Sequence, residues 1–204
     1  MNSTVERLEV GPWPMNCYLV RSSTAGPVAV VDPGQDGDAI LTAVGDNQVC
    51  CVLLTHAHPD HIGALDAVRR VTGAPVGIHP ADSVVFDVEA DFPLLHGTVV
   101  EVGQVRLSVS HVPGHTPGSV CLRLSGQALV GDAVFPGGPG HTDTPAGLAR
   151  SLSSLSETVF IRSDDTVLYP GHGNSTTGGA ERWDFERFVA AERSTGLCGD
   201  VNWG

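Results

Sequence analysis

The sequence predicts an α/β layered sandwich, with sheets covered by helices. Three observations lead there. Val-rich apolar runs alternate with helical patterns, some neighbouring runs can pair as hairpins, and the residue types that carry chemistry fall where those runs end.

Taken in order, strands are expected near 16–21 (NCYLVR), 27–32 (PVAVVD), 49–55 (VCCVLLT), 75–78, 98–110, 119–124, 127–131 and 166–169. Helical patterns occupy 36–45, 60–72, 145–160 and 178–194. In the second of these Ile62, Leu65, Val68 and Arg69 follow the i, i+3, i+4 rule, and Gly73 supplies the stop. Segments 104–110 and 119–124 read as a hairpin. Asp32, Thr55, Val112, Gly131 and Pro170 each sit at or next to the C-terminal end of a strand. Loops at such ends can converge on one site held by a rigid scaffold.

The 204 residues suffice to bury a full core and are most simply one domain, 1–204. Hydrophobic residues make up 41%, too many for a disordered chain, and no Ser/Gly- or Pro-rich linker divides it. All eleven basic residues are Arg, against 23 acidic ones, for a formal charge of −12. Nucleic-acid binders need clustered cations, so this balance argues against an RNA or DNA partner. Arg69-Arg70 reads as the solvated end of a helix rather than a phosphate clamp. The start, MNSTVERLEV, lacks the basic and apolar stretches of a secretory signal. No apolar run approaches the roughly 18–20 residues that span a bilayer. Five cysteines (Cys17, Cys50, Cys51, Cys121, Cys198) without C-x-x-C spacing read as thiols, as expected in a reducing cytoplasm.

The strongest chemical signal is Thr55-His56-Ala57-His58-Pro59-Asp60-His61. Three imidazoles and a carboxylate just past a buried strand are costly to bury unpaired, so core packing explains them poorly. His56 and His58, two apart in extended chain, point to one side. Asp60 and His61 open the next helix and project from another direction, so one segment can serve two ions. Three further pieces follow. His115 lies in the turn Val112–Gly118 (VPGHTPG), Asp132 directly follows Gly131, and His172 lies in Tyr169–Gly173 (YPGHG). Each has Gly or Pro beside it, which makes a tight turn able to aim one side chain inward. Five His and two Asp supply enough N/O ligands for two borderline metals such as zinc.

The order HxHxDH, PGHTPGS, GDAVF and PGHG resembles the metallo-β-lactamase superfamily from about Asn16 to Arg182. The resemblance implies a four-layer αββα sandwich with its site along one sheet edge. It implies that His56, His58 and His115 hold a first divalent ion, that Asp60, His61 and His172 hold a second, and that Asp132 bridges them. The ions would be zinc first, with iron or manganese as alternatives. Asp32, in Val31-Asp32-Pro33-Gly34, matches an aspartate that stands behind the ligands and steadies the histidine loop. A turn-forming Asx before Pro-Gly is an equally open reading, compatible with that role.

Within the superfamily, GDAVF followed by Gly140-His141-Thr142-Asp143, and above all PGHGNSTT at 170–177, is similar to small glyoxalase II-like hydrolases, which split thioesters such as hydroxyacyl-glutathione. Two departures stand out. His141 replaces an arginine common in that group, and imidazole lacks the fixed donor fork of a guanidinium. No basic patch matches the one with which full-length glyoxalase II grips glutathione. The implied partner is therefore a small-molecule thioester or ester. Asp60 and Asp132 would be the catalytic residues, with Asp60 orienting the attacking water. His141 is a candidate to face substrate or shuttle protons. Ser119 and Ser175 read as loop hydrogen-bonders. His79 and His111 follow strands and are expected near the site without being needed, and His96 has no evident partner. Trp183, Phe185 and Phe188 read as packing residues. Three rivals remain open: a mononuclear-iron persulfide dioxygenase using His56, His115 and Asp132, a hydrolase of another ester, lactone or carrier-bound thioester, and a non-catalytic metal-binding scaffold.

Overall fold

The computed structural model describes residues 4–22, 25–192 and 194–203. Arg193, in the last predicted helix, lies outside them, as do the first three residues of the segment read for a secretory signal. One six-stranded sheet runs in chain order: β1 (Thr4–Val10), β2 (Met15–Arg21), β3 (Val28–Val31), β4 (Val49–Leu53), β5 (Val76–Ile78) and β6 (Phe92–Pro93). The second holds β7 (Val99–Val102), β8 (Val105–His111), β9 (Val120–Leu124), β10 (Gln127–Gly131), β13 (Val167–Pro170) and β14 (Thr176–Thr177), side by side in that order. Between its fourth and fifth strands a small hairpin, β11 (Val134–Phe135) with β12 (Gly138–Pro139), projects from the sheet. The helices are α1 (Gly37–Val44), α2 (Pro59–Ile62), α3 (Leu65–Thr72), α4 (Pro80–Val85), α5 (Pro145–Thr158) and α6 (Gly178–Ala190).

Strand alternation builds the layers. Every residue of β2 is buried, because both of its faces are covered. Cys17 and Leu19 point outward and pack with Ile40 and Val44 of α1 and Leu65 and Val68 of α3. Tyr18 and Val20 point inward and meet Leu107, Val109 and Leu122 of the second sheet. On the far side Cys121, Ala128 and Val130 pack against Leu152 and Leu155 of α5 and Phe185 of α6. Three apolar seams between four layers make an αββα sandwich.

Every long strand and helix foreseen from the sequence is present; the differences are local. The pattern at 98–110 splits into β7 and β8 at Gly103, whose φ of 58° makes a tight reversal. The pattern at 60–72 splits into α2 and α3. Ala64 N there donates to Pro33 O at 3.0 Å, and a Cβ on Gly63 would strike Gly34 O, so the chain breaks its helix to dock on the turn after β3. Gly73, at φ 65°, ends α3 as expected. Of the elements not foreseen, β6, β11, β12, β14 and α4 have too few residues to show a period, and β1 is a mostly exposed edge strand, TVERLEV, with few apolar residues to mark it. Among the described residues no helix is long and apolar enough to cross a membrane, and all five cysteines are free.

Candidate metal centre

The loops beyond β3, β4, β8, β10 and β13 meet at one end of the sandwich. After β4 the chain stays extended through His58 (φ −62°, ψ 147°), and Pro59 then opens α2 at its first position. His56 and His58 consequently face one way, and Asp60 and His61 the other. The result is three groups whose ligand atoms lie within 4.8 Å of one another: His56, His58 and His115; Asp60, His61 and His172; and His56, His61 and Asp132. His58 Nδ1 is 2.9 Å from His115 Nε2, and Asp60 Oδ2 is 3.1 Å from His172 Nε2. These separations suit pairs of ligands that each stand about 2.0–2.2 Å from one ion. Asp132 lies between the groups, with Oδ1 3.3 Å from His61 Nε2 and Oδ2 3.7 Å from both His115 Nε2 and His172 Nε2. All seven residues singled out from the sequence are thus brought together.

The chemistry of this donor set fits divalent cations. His56 Nε2, His61 Nε2 and Asp132 Oδ1 are buried and have no hydrogen-bond partner, a costly state for polar atoms unless a ligand completes them. The opposite nitrogens are held. His61 Nδ1 lies 3.1 Å from Asp32 Oδ2, His56 Nδ1 3.2 Å from Thr55 Oγ1, His115 Nδ1 2.9 Å from His141 O, and His172 Nδ1 2.9 Å from Pro14 O. Holding one ring nitrogen in this way fixes tautomer and orientation and leaves the other free to ligate. Close approach also needs glycine. A Cβ on Gly171 would run into Asp132 Oδ1 and the His61 ring.

Asp32 is almost fully buried, and its backbone is left-handed (φ 51°), a conformation Asp tolerates. Oδ1 accepts from Thr55 N at 2.7 Å and Oδ2 from Thr55 Oγ1 at 2.6 Å. Its side chain therefore reaches beneath the histidine loop, so the Pro-Gly turn and a supporting contact coexist at this residue.

Charge is strongly organised in the metal-free chain. Burial lowers the His56 pKa well below the ordinary range, and the neighbouring imidazoles add to the effect. Burial and His115 lower His58 in the same direction. Burial also opposes a charge on His61, but the carboxylates of Asp132 and Asp32 outweigh it and carry that imidazole up to about 10. The hydrogen bond from His172 holds Asp60 down at about 2 and raises His172 in return. Asp132, despite burial that would raise it, is lowered by His61. The lowered His56 and His58 imidazoles on one side and the paired charges of Asp60 with His172 on the other are both exchangeable for a cation.

Three supporting residues were not foreseen. Asp82 of α4 is fully buried and accepts from Ala57 N, Thr116 Oγ1 and Gly118 N. Asn16 Nδ2 donates to Pro170 O and Gly173 O, and Tyr18 Oη donates to Pro170 O at 2.6 Å, so β2 grips the His172 loop across the sandwich. In sequence, Asp82 looks like an ordinary acidic residue in a first helical turn after Pro80, and NCYLV like plain strand.

His141 is half-exposed. Its side chain lies 2.9 Å from Asp200 Oδ1 and 3.4 Å from Asp143 Oδ1, while its carbonyl holds His115. His79 and His111 stack at 4.0 Å; His79 caps α4, and His111 Nε2 lies 2.9 Å from Pro117 O. His96 gains a partner, accepting the His111 N–H at 3.3 Å. Ser119 is a loop hydrogen-bonder, with Oγ 2.7 Å from Thr116 Oγ1. Arg69 lies in the last turn of α3 and pairs with Asp91. One expectation needs correction. Trp183 is 71% exposed and does not pack, because its helix turns only Phe185, and Phe188 in part, toward the core. The C-terminal residues are engaged as well. Trp203 is buried against Phe160 and Phe185 and donates to Glu181, and Asp200 meets His141.

A metallo-β-lactamase superfamily domain matches residues 10–172, and the chain belongs to that superfamily. Within it, the chain is 28% identical over 201 residues to the hydroxyacylglutathione hydrolase GloC of Haemophilus influenzae, covering 87% of this chain and 94% of that protein. It is 40% identical over 161 residues to a hydroxyacylglutathione hydrolase of Anaeromyxobacter dehalogenans, covering 76% of this chain and 60% of that one. Among solved structures, the BLEG-1 B3 metallo-β-lactamase superposes with a TM-score of 0.79 at 29% identity, covering 92% of this chain and all of that one. TTHA1623 in a di-iron-bound form superposes with a TM-score of 0.70 at 27% identity, covering 86% and 96%.

Proposed function

We propose that the chain, as one hydrolase domain, is a dinuclear-metal hydrolase that cleaves a small-molecule thioester. The observation that carries this reading is the pair of three-residue groups with Asp132 between them and buried, unpartnered ligand atoms turned inward. His56, His58 and His115 would hold one ion, and Asp60, His61 and His172 the other, with Asp132 shared. The N/O donor set suits zinc, and iron or manganese would also fit. Two such ions, when bound, would supply a hydroxide at neutral pH and a Lewis acid for the carbonyl oxygen.

The chain's own residues do the rest. Asp60 is only half-buried, and its carboxylate would accept a hydrogen bond from the attacking water and aim its lone pair at the carbonyl carbon, to which the new C–O bond forms. The C–S bond then breaks, and the departing thiolate needs little help from an acid. A groove of about 230 Å³ beside His115, lined also by Thr116, Thr144 and Arg150, would take that leaving group. Ser119 is tied up in its loop, so no side-chain nucleophile is required. The thioester is favoured over other esters by the likeness to the hydroxyacylglutathione hydrolases. The charge of −12 argues against nucleic acid or an anionic membrane as partner, and five free thiols fit a reducing cytoplasm.

The test combines elemental analysis with a panel of thioesters, oxygen esters, lactones and phosphodiesters. Expected are about two ions per chain and thiol release that stops on chelation and returns with zinc. Iron near one per chain with oxygen uptake would point instead to dioxygenase chemistry. Failure of the whole panel at saturating metal would leave a non-catalytic scaffold.

A further inference from the structure

We propose that Asp82 is a positioning residue that sets the geometry of the first ion's histidines by locking two ligand loops from different sheets to one another. The inference rests on the reading of His56, His58 and His115 as the first ion's ligands.

These three histidines come from separate places. His56 and His58 follow β4 in the first sheet, and His115 sits in the turn between β8 and β9 in the second. Their ring nitrogens must nonetheless meet, and His58 Nδ1 and His115 Nε2 are 2.9 Å apart. Asp82 arrives from a third element, α4, and touches both loops. Oδ2 accepts from Ala57 N at 3.2 Å, between His56 and His58 in sequence. The same oxygen accepts from Thr116 Oγ1 at 2.8 Å, one residue beyond His115. Oδ1 accepts from Gly118 N at 2.6 Å, where the turn returns to β9.

The residue type follows from this. Three donors converge on one fully buried side chain, and an ionised carboxylate is acceptor-only, with sites for all of them. Asparagine would turn an NH₂ group toward at least one N–H or O–H. The space is also committed, since a Cβ on Gly118 would stand 2.6 Å from Asp82 Oδ1. No donor in this network belongs to Asp60, His61 or His172, whose side chains or loop meet Asp32, Pro14, Asn16 and Tyr18 instead. A residue that merely supported the fold would weaken both groups together. Asp82 should act chiefly on one.

The experiment is a calorimetric titration of zinc into the metal-free full chain. His115→Ala and His172→Ala identify which binding step belongs to which group. Asp82→Asn is expected to weaken the step lost in His115→Ala by about 10- to 100-fold, the usual effect of removing a residue that orients ligands. It should weaken the other step distinctly less, because that group touches Asp82 only through the shared Asp132 and the histidine loop. Asp91→Asn, at a more exposed carboxylate bonded to Arg69 and Val76 N, should leave both steps unchanged. If Asp82→Asn does not fold, Thr116→Val keeps the carboxylate and drops one donor, and it should weaken the same step by about 2- to 10-fold. Equal weakening of both steps, or no weakening, overturns the role of Asp82. Wild-type protein that takes up fewer than two ions overturns the dinuclear reading, and the proposal with it.

Discussion

Replacing Asp32 by Asn keeps the side chain's size and removes one negative charge from beneath the metal cradle. Both oxygens are in use. Oδ1 accepts from Thr55 N at 2.7 Å, while Oδ2 accepts from Thr55 Oγ1 at 2.6 Å and stands 3.1 Å from His61 Nδ1. An amide offers one acceptor oxygen to these three donors, and the His61 imidazolium loses one of its two counter-charges. Breaking one side of a buried charge pair costs about 3–5 kcal/mol, so the metal-free Asn variant should be destabilised by about that much at pH 7. The pH dependence identifies the cause. Asp132 and Asp32 raise the His61 pKa from 6.5 to about 10 against the opposing pull of burial. A raised folded-state pKa contributes stability that is complete below 6.5 and is lost as the pH climbs through 10. Metal-free wild type should therefore lose stability across that window. Asp32→Asn, with a lower His61 pKa, should start lower and lose less. Urea unfolding of both proteins at intervals from pH 6 to pH 10, with m-values compared, measures this. Parallel stability curves between pH 6.5 and pH 10 would refute Asp32 as the counter-charge of His61.

Asp132→Ala should lose more bound metal than His115→Ala and lower turnover by several orders of magnitude, because it removes a ligand that both groups share. Full metal occupancy in that variant, by elemental analysis, contradicts the shared-ligand assignment. Asp60→Asn should keep much of the fold and lose most activity, and near wild-type turnover with both ions bound removes Asp60 from the chemistry. Lactoylglutathione should show a high KM with measurable kcat, because His141 is engaged with Asp143 and Asp200 and the overall charge is −12. Each missing charge-assisted hydrogen bond to the carrier costs about 1.5–3 kcal/mol, roughly 10- to 150-fold in affinity. Steady-state kinetics across thiol carriers checks this, and a low-micromolar KM for lactoylglutathione alone would sink it.

How much was legible in the sequence depends on how local each cause is. The strand pattern and the seven ligand-type residues were readable because both rest on neighbours in the chain. Two imidazoles two residues apart in extended backbone share a side whatever the fold, and Gly-His or Gly-Asp after an apolar run makes an aimed turn in any context. The break between α2 and α3 was not readable, since a contact with Pro33 and Gly34 imposes it on a regular helical pattern.

By itself, then, the sequence determined the fold class, the ligand-type residues and their division into two groups along the histidine motif. Tertiary structure alone decided what holds them. Asn16 meets Pro170 across 154 positions, Asp82 meets Gly118 across 36, and Trp203 closes on Glu181 from a tail without pattern. These side chains bond to main-chain or carboxylate atoms of distant segments, and such bonds leave no periodicity or spacing in the sequence. They exist only because stacked sheets bring the ends of far-separated strands to one edge, where buried polar groups must find partners.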